Sequence, residues 1–97
     1  MTIVAQLLFA ESDGEVVVID ALILDGDQLS PGTPVTLRLL PPESPLIASL
    51  VRGRLAAWAD TGDVVELQLR RRRRTTMAVV TDGRSAVSLD VTAPLVA

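Results

Sequence analysis

Three short segments, Ser12-Asp13-Gly14-Glu15, Asp60-Thr61-Gly62-Asp63 and Thr81-Asp82-Gly83-Arg84, each divide two apolar stretches, and this punctuation limits the chain more than any other feature. Asp-Gly and related pairs supply the positive φ of tight turns, so each segment reads as the turn of an antiparallel hairpin. Side chains alternate faces along a strand and a slip of one residue inverts them, which makes register testable. A three-residue Ser12-Asp13-Gly14 loop sets Gln6 against Asp20 and Leu7 against Ile19. A three-residue Asp60-Thr61-Gly62 loop sets Ala57 against Val65, Leu55 against Leu67 and Gly53 against Leu69 on one apolar face. A three-residue Asp82-Gly83-Arg84 loop sets Val79 against Val87 and Met77 against Leu89.

Between the first two hairpins, Ser30-Pro31-Gly32-Thr33 has Pro and Gly at the central positions of a type II turn. It opens a strand over Pro34–Leu40, in which Val35, Leu37 and Leu39 alternate with Thr36 and Arg38. The prolines at 41, 42 and 45 then interrupt the sheet, because proline cannot serve an interior ladder. A long strand over Ile47–Trp58, bent at Gly53, is expected next, since no segment shows a capped helical period. The resulting fold expectation is a single all-β domain over 1–97, a small six- to seven-stranded antiparallel barrel.

Composition narrows function mainly by exclusion. In 97 residues there is no His, Cys, Lys, Tyr or Asn, and the aromatics are Phe9 and Trp58 alone. The usual general base near neutral pH, the thiolate and amine nucleophiles, and the imidazole and thiolate metal ligands are therefore missing. None of the twelve acids sits in a recognisable acid/base motif. A non-enzymatic protein without cofactor or metal is expected. The first residues have no basic segment before their apolar run, which Gln6 breaks and Glu11 ends, so a cytoplasmic location and no membrane association are expected.

The run Leu29–Leu69 is similar to the central and later part of a PilZ domain: Leu29 and Gly32 at a turn, Val35, Leu37 and Leu39 on an alternating strand, then Gly53, Leu55 and Trp58. The resemblance implies a six-stranded barrel that binds cyclic di-GMP or relays a signal by protein contacts. The family's Arg-x-x-x-Arg motif has no counterpart, because residues 1–24 contain no arginine. Its Asp/Asn-x-Ser-x-x-Gly motif could fall only on Asp20, where position 22 is Leu and position 25 is Asp. A degenerate member acting as an adaptor through protein–protein interaction is what this combination implies, with cyclic di-GMP not bound in the usual mode.

Five consecutive arginines, Arg70–Arg74, stand out in a chain of net charge −3; the four other arginines against twelve acids leave −8. Alternation from Leu67 and Leu69 would carry Arg71 and Arg73 into the core, which two unpaired guanidinium groups forbid. The strand must leave the barrel, bulge or reach an open rim near Arg70. Two readings stand. The arginine cluster is an anion or partner site, for an acidic protein, a nucleotide or RNA, or it is a solvated edge that deters aggregation. In the hairpin register above, Arg52, Arg54 and Trp58 share a face, and Arg52 falls opposite Arg70, an arrangement that calls for an anion between them unless the side chains splay into water or meet Glu66.

Val16–Ile19 and Ala21–Leu24 are apolar on both faces. One set, Val16, Val18, Leu22 and Leu24, must point out of so small a barrel. It is either covered by a terminus such as Val91–Ala97 or serves as the interface of a homo-oligomer.

Overall fold

The computed structural model describes residues 1–26 and 29–92. Six strands form a closed antiparallel barrel: β1 (Thr2–Asp13), β2 (Val16–Gly26), β3 (Pro34–Leu40), β4 (Val64–Arg72), β5 (Thr75–Thr81) and β6 (Ala86–Val91), with one helix, α1 (Pro45–Thr61), between β3 and β4. Around the ring the order is β1-β2-β3-β6-β5-β4. The expected small antiparallel barrel is therefore the fold, and β3 with its type II turn stands where the alternation places it. Gly32 has φ 84° and the Thr33 N–H donates to the Ser30 carbonyl at 3.2 Å. The inward residues of the strands are aliphatic, and among the described residues no polar or charged residue is buried. Each strand thus has one dry face and one wet face, as an antiparallel barrel this narrow requires.

The segment expected as a strand over Ile47–Trp58 is helical, and the Asp60-Thr61-Gly62 hairpin with its Ala57–Val65 and Leu55–Leu67 pairs does not form. Helix-favouring Ala, Leu and Arg residues dominate the segment, and Pro45 occupies the first turn, where its missing N–H costs nothing. Gly62 ends the helix in the left-handed region at φ 63°, with its N–H on the Ala59 carbonyl and the Asp63 N–H on the Trp58 carbonyl. A positive φ at this glycine serves a helix end as well as a hairpin turn. The buried face is Val51, Leu55 and Trp58, spaced by four and three residues. Leu46, Ile47 and Leu50 remain exposed alongside that stripe. This widened apolar surface blurs the helical period in the sequence.

Register also differs at two hairpins. The first turn is the two-residue Gly14-Glu15, with Asp13 opposite Val16 and Leu7 opposite Ala21 rather than Ile19. Leu8 and Leu24 are each left unpaired at a β-bulge, so the ladder shifts twice along its length. In the β5–β6 hairpin, Val80 meets Val87 and Ala78 meets Leu89, leaving Met77 and Val79 outward. The loop is Asp82–Ser85, one residue longer than expected, because Asp82 Oδ1 accepts the N–H groups of both Arg84 (2.8 Å) and Ser85 (2.9 Å). Side-chain turns of this kind add a residue that alternation cannot count.

The helix closes one end of the barrel. There it meets the Gly14-Glu15 turn, the Asp82–Ser85 loop and the Gly62–Asp63 junction, where the Leu7 N–H donates to the Asp63 carbonyl at 3.0 Å. The opposite end carries the β4–β5 hairpin.

Candidate functional site

Strand β4 shows how the chain escapes the conflict between alternation and charge. Val65 and Leu67 are buried and Leu69 is half-buried, so the inward set is apolar up to that point. The last β1–β4 partners are Thr2 and Gln68, followed by the Leu69 N–H donating to the Met1 carbonyl at 2.8 Å. Beyond Leu69, β4 pairs with β5 alone: Arg70 with Met77, Arg71 with Thr76 and Arg72 with Thr75. The strand has passed its β1 neighbour, while β5 stays paired with β6 as far as Thr76–Val91, so the Arg72–Thr75 pair and the turn alone project as a two-stranded tip. Arg71, although in the inward phase, is exposed. Of the three expected outcomes near Arg70, leaving the barrel, bulging or reaching an open rim, the strand reaches the rim.

All five arginines are exposed. Among the described residues none of them makes a side-chain hydrogen bond or ion pair; the ion pair there is Arg38–Asp13 at 3.0 Å, on the surface. The two-residue turn Arg73-Arg74 holds Arg73 at φ 44°. An L-residue in the left-handed region costs about 1–2 kcal/mol, and hairpins of this length ordinarily place Gly, Asn or Asp there. Arg71 and Arg74 also border an open groove of about 860 Å³ with Leu37, Leu69, Thr76 and Asp90.

The other members of the expected cluster lie elsewhere. Because its segment is helical, Arg52 is not opposite Arg70 but at the helix-closed end. Its guanidinium donates to Ser12 Oγ at 2.9 Å and to the Glu15 carbonyl at 2.6 Å, with longer bonds to the Gly14 (3.4 Å) and Val16 (3.5 Å) carbonyls. This is a clamp on the first hairpin turn, with its donors already used. Trp58 is 2% exposed and donates its indole N–H to Asp82 Oδ2 at 3.1 Å, so it is a plug of the core rather than a ligand platform. Arg54 is exposed beside a groove between α1 and β6. Strand β5 separates Asp82 from the arginine hairpin, and seven extended residues span roughly 20 Å. No anion can bridge Arg52 and Arg70.

At the closed end Asp82 has its pKa lowered. The N–H groups of Ser85 and Arg84 are the main cause, the Trp58 indole assists, and desolvation opposes.

The second expected site divides as alternation requires. Val17, Ile19, Ala21 and Ile23 are buried, while Val16, Val18 and Leu22 are half-buried on the outer face and Leu24 is exposed. The covering segment considered for it, Val91–Ala97, is described only to Thr92, whose N–H and hydroxyl both donate to the Arg38 carbonyl; residues 93–97 lie outside the described residues. Sequence reasoning missed Leu8 and Phe9, 50% and 52% exposed, and Val64. The β1–β2–β4 outer face gathers these around Gln6, which pairs with Leu22 on one side and Val64 on the other. The signal for Phe9 was out of reach, because only the bulge at Leu8 turns it outward; Leu8 itself follows the alternation from Leu7.

Among the described residues no helix is long and apolar enough to cross a membrane. No protein-family model, curated protein or solved structure matches the chain.

Proposed function

We propose that this chain is a cytoplasmic, non-enzymatic adaptor domain that docks on an acidic surface of a partner protein through the Arg70–Arg74 hairpin. The observation that carries the reading is the display of these arginines, all exposed, on the stretch of β4 that has passed its β1 neighbour and on the projecting turn that follows. Alternation puts Arg70 and Arg72 on one face and Arg71 on the other, with Arg73 and Arg74 at the tip. Guanidinium groups spread over two faces and a tip suit an extended acidic surface better than one small anion, which needs converging donors. Nucleic acid is disfavoured because Trp58 is buried, Phe9 pairs with Asp20 away from the hairpin, and no aromatic stands beside the arginines.

A degenerate PilZ-like domain is compatible with the six-stranded barrel. The part of the resemblance resting on Gly53, Leu55 and Trp58 concerns a helix here, which leaves the turn and strand from Leu29 to Leu39 to carry it. Titration with polyglutamate, a short single-stranded RNA and cyclic di-GMP at low and physiological salt tests the reading. Polyglutamate should bind, weaken with salt, and lose most of its affinity in the Arg71→Glu/Arg73→Glu variant. Tighter binding of RNA or cyclic di-GMP would replace the acidic protein with a nucleotide ligand.

A second reading, self-association into a homo-oligomer, has one observation in its favour: Leu8, Phe9, Leu24 and Val64 expose their side chains on the β1–β2–β4 face. Sedimentation of the wild type and of Phe9→Glu decides it, since a concentration-dependent oligomer must dissociate in the variant.

A further inference from the structure

The barrel is unevenly closed. Strand β6 pairs along its whole length with β5, from Thr81–Ala86 to Thr76–Val91. On its other side it meets β3 at only two pairs, Leu39–Val91 and Leu40–Asp90, continued by the Thr92 N–H to Arg38 carbonyl bond. β3 cannot extend this ladder, because Pro41 and Pro42 follow it and neither has an N–H. Main-chain groups alternate sides along a strand. Thr92 directs its N–H toward β3, so Asp90, Ser88 and Ala86 direct their N–H and C=O groups the same way. For Ala86 and Ser88 no β3 residue is there to receive them, and no bond to them on that side forms among the described residues.

This open edge forms one wall of a groove of about 460 Å³ whose other wall is α1, with Ile47, Leu50 and Arg54 facing Val87 and Pro42. Ile47 is 48% and Leu50 66% exposed. Edge strands are ordinarily guarded by charge, proline or a covering element. Ala86, Val87 and Ser88 carry none of the first two, and the helix stands off by the width of the groove.

We infer that the free edge of β6 at Ala86–Ser88 and the Ile47–Leu50–Arg54 face of α1 together form a strand-addition site for an extended segment of a partner protein with an apolar side chain next to an acidic one. The main chain of that segment bonds to the edge, its apolar side chain covers Ile47 and Leu50, and its carboxylate pairs with Arg54. Arg54 has no ion-pair partner among the described residues. Charge selects this occupant over a second copy of the chain. Two β6 edges paired about a two-fold axis would bring two Arg54 side chains to one seam, whereas an acidic segment gives Arg54 a carboxylate of its own. The site is separate from the arginine hairpin and does not depend on it.

The test uses the whole chain and two blocked heptapeptides that alternate valine with threonine, one carrying a central glutamate and the other a lysine. Hydrogen exchange on the free protein should find the Ala86 and Ser88 amides unprotected and those of Val87 and Leu89 protected. Fluorescence polarisation should show the glutamate peptide binding. Ser88→Pro removes an N–H from the open edge and none from the β5 ladder, so it should weaken binding roughly tenfold, the worth of one or two main-chain bonds, with an unchanged circular dichroism spectrum. Arg54→Glu, at an exposed position, should reverse the preference to the lysine peptide and stands independently if the proline variant unfolds. Protected Ala86 and Ser88 amides in a monomer, absence of glutamate-peptide binding, or binding indifferent to Arg54→Glu would each overturn the proposal. A wild-type dimer dissociated by Ser88→Pro would overturn it in favour of a second copy.

Discussion

The two ends of the barrel use the same side chain in opposite ways. At the helix-closed end, Arg52 spends its donors on Ser12 Oγ and on main-chain carbonyls of the first hairpin turn, and Trp58 separately donates its indole N–H to Asp82. At the hairpin end, five arginines stand without a bonded acid among the described residues, and one of them occupies a backbone conformation that its side chain disfavours. A guanidinium already satisfied within the fold contributes to stability and offers little to a ligand. A guanidinium held out unsatisfied contributes little to stability and keeps its full capacity for an external carboxylate. Substitutions at the two ends should therefore separate stability from binding.

The largest effect is expected at the closed end. Trp58→Ala should lower unfolding free energy by about 3–5 kcal/mol, read by urea titration, because it empties a large volume in the core and strands Asp82 without its indole donor. Polyglutamate affinity of the folded fraction should stay at the wild-type value; a parallel loss would mean that the two ends are coupled. Arg52→Ala should cost about 1 kcal/mol, since the surface carbonyls it leaves can bond to water. Arg71→Ala should fall within about 0.5 kcal/mol of wild type. Equal losses at Arg52 and Arg71 would erase the distinction between the ends. Arg73→Gly should raise stability by about 0.5–1 kcal/mol by relieving the positive φ, while weakening polyglutamate binding. This is the one substitution for which the two readouts should move in opposite senses.

The smallest effect concerns pH. The Asp82 carboxyl has a lowered pKa in the folded chain, so its contribution is complete above the ordinary carboxylate range and is lost as pH falls through the lowered value. The stability gap between wild type and Asp82→Asn, measured by urea titration, should be constant near neutrality and shrink below about pH 4. A gap independent of pH would show that the amide replaces the carboxylate fully as an acceptor for Ser85, Arg84 and Trp58.

What could be read from the sequence follows the range of the interactions involved. Pro34–Leu40 and the Ser30–Thr33 turn depend on local φ preferences and a two-residue period, and both are found as expected. The inward set Val17, Ile19, Ala21 and Ile23 was legible for the same reason. The arrival of β4 at the barrel rim near Arg70 was legible because burying Arg71 is prohibitive whatever the neighbours are. Helix α1 was not, since Leu46, Ile47 and Leu50 widen its apolar surface and Gly62 suits a hairpin as well as a helix end. The false pairing of Arg52 with Arg70 followed directly from that one substitution of strand for helix. The bulges at Leu8 and Leu24 and the bare edge at Ala86–Ser88 depend on how neighbouring strands are offset in space, and no local pattern encodes that.

The short seam between β3 and β6 also governs how this ring comes apart. A closed cylinder has no end from which to fray, so its first opening is a rupture across its narrowest ladder, here two residue pairs and the Thr92–Arg38 bond. Native-state exchange should place the Asp90 and Thr92 amides among the earliest to open, well before those of β1 and β2, which are joined by ten pairs. Once that seam parts, the cylinder becomes an open six-stranded ribbon with a sticky strand at either margin. Storage conditions that favour this rupture, rather than global melting, should set the onset of exchange between molecules.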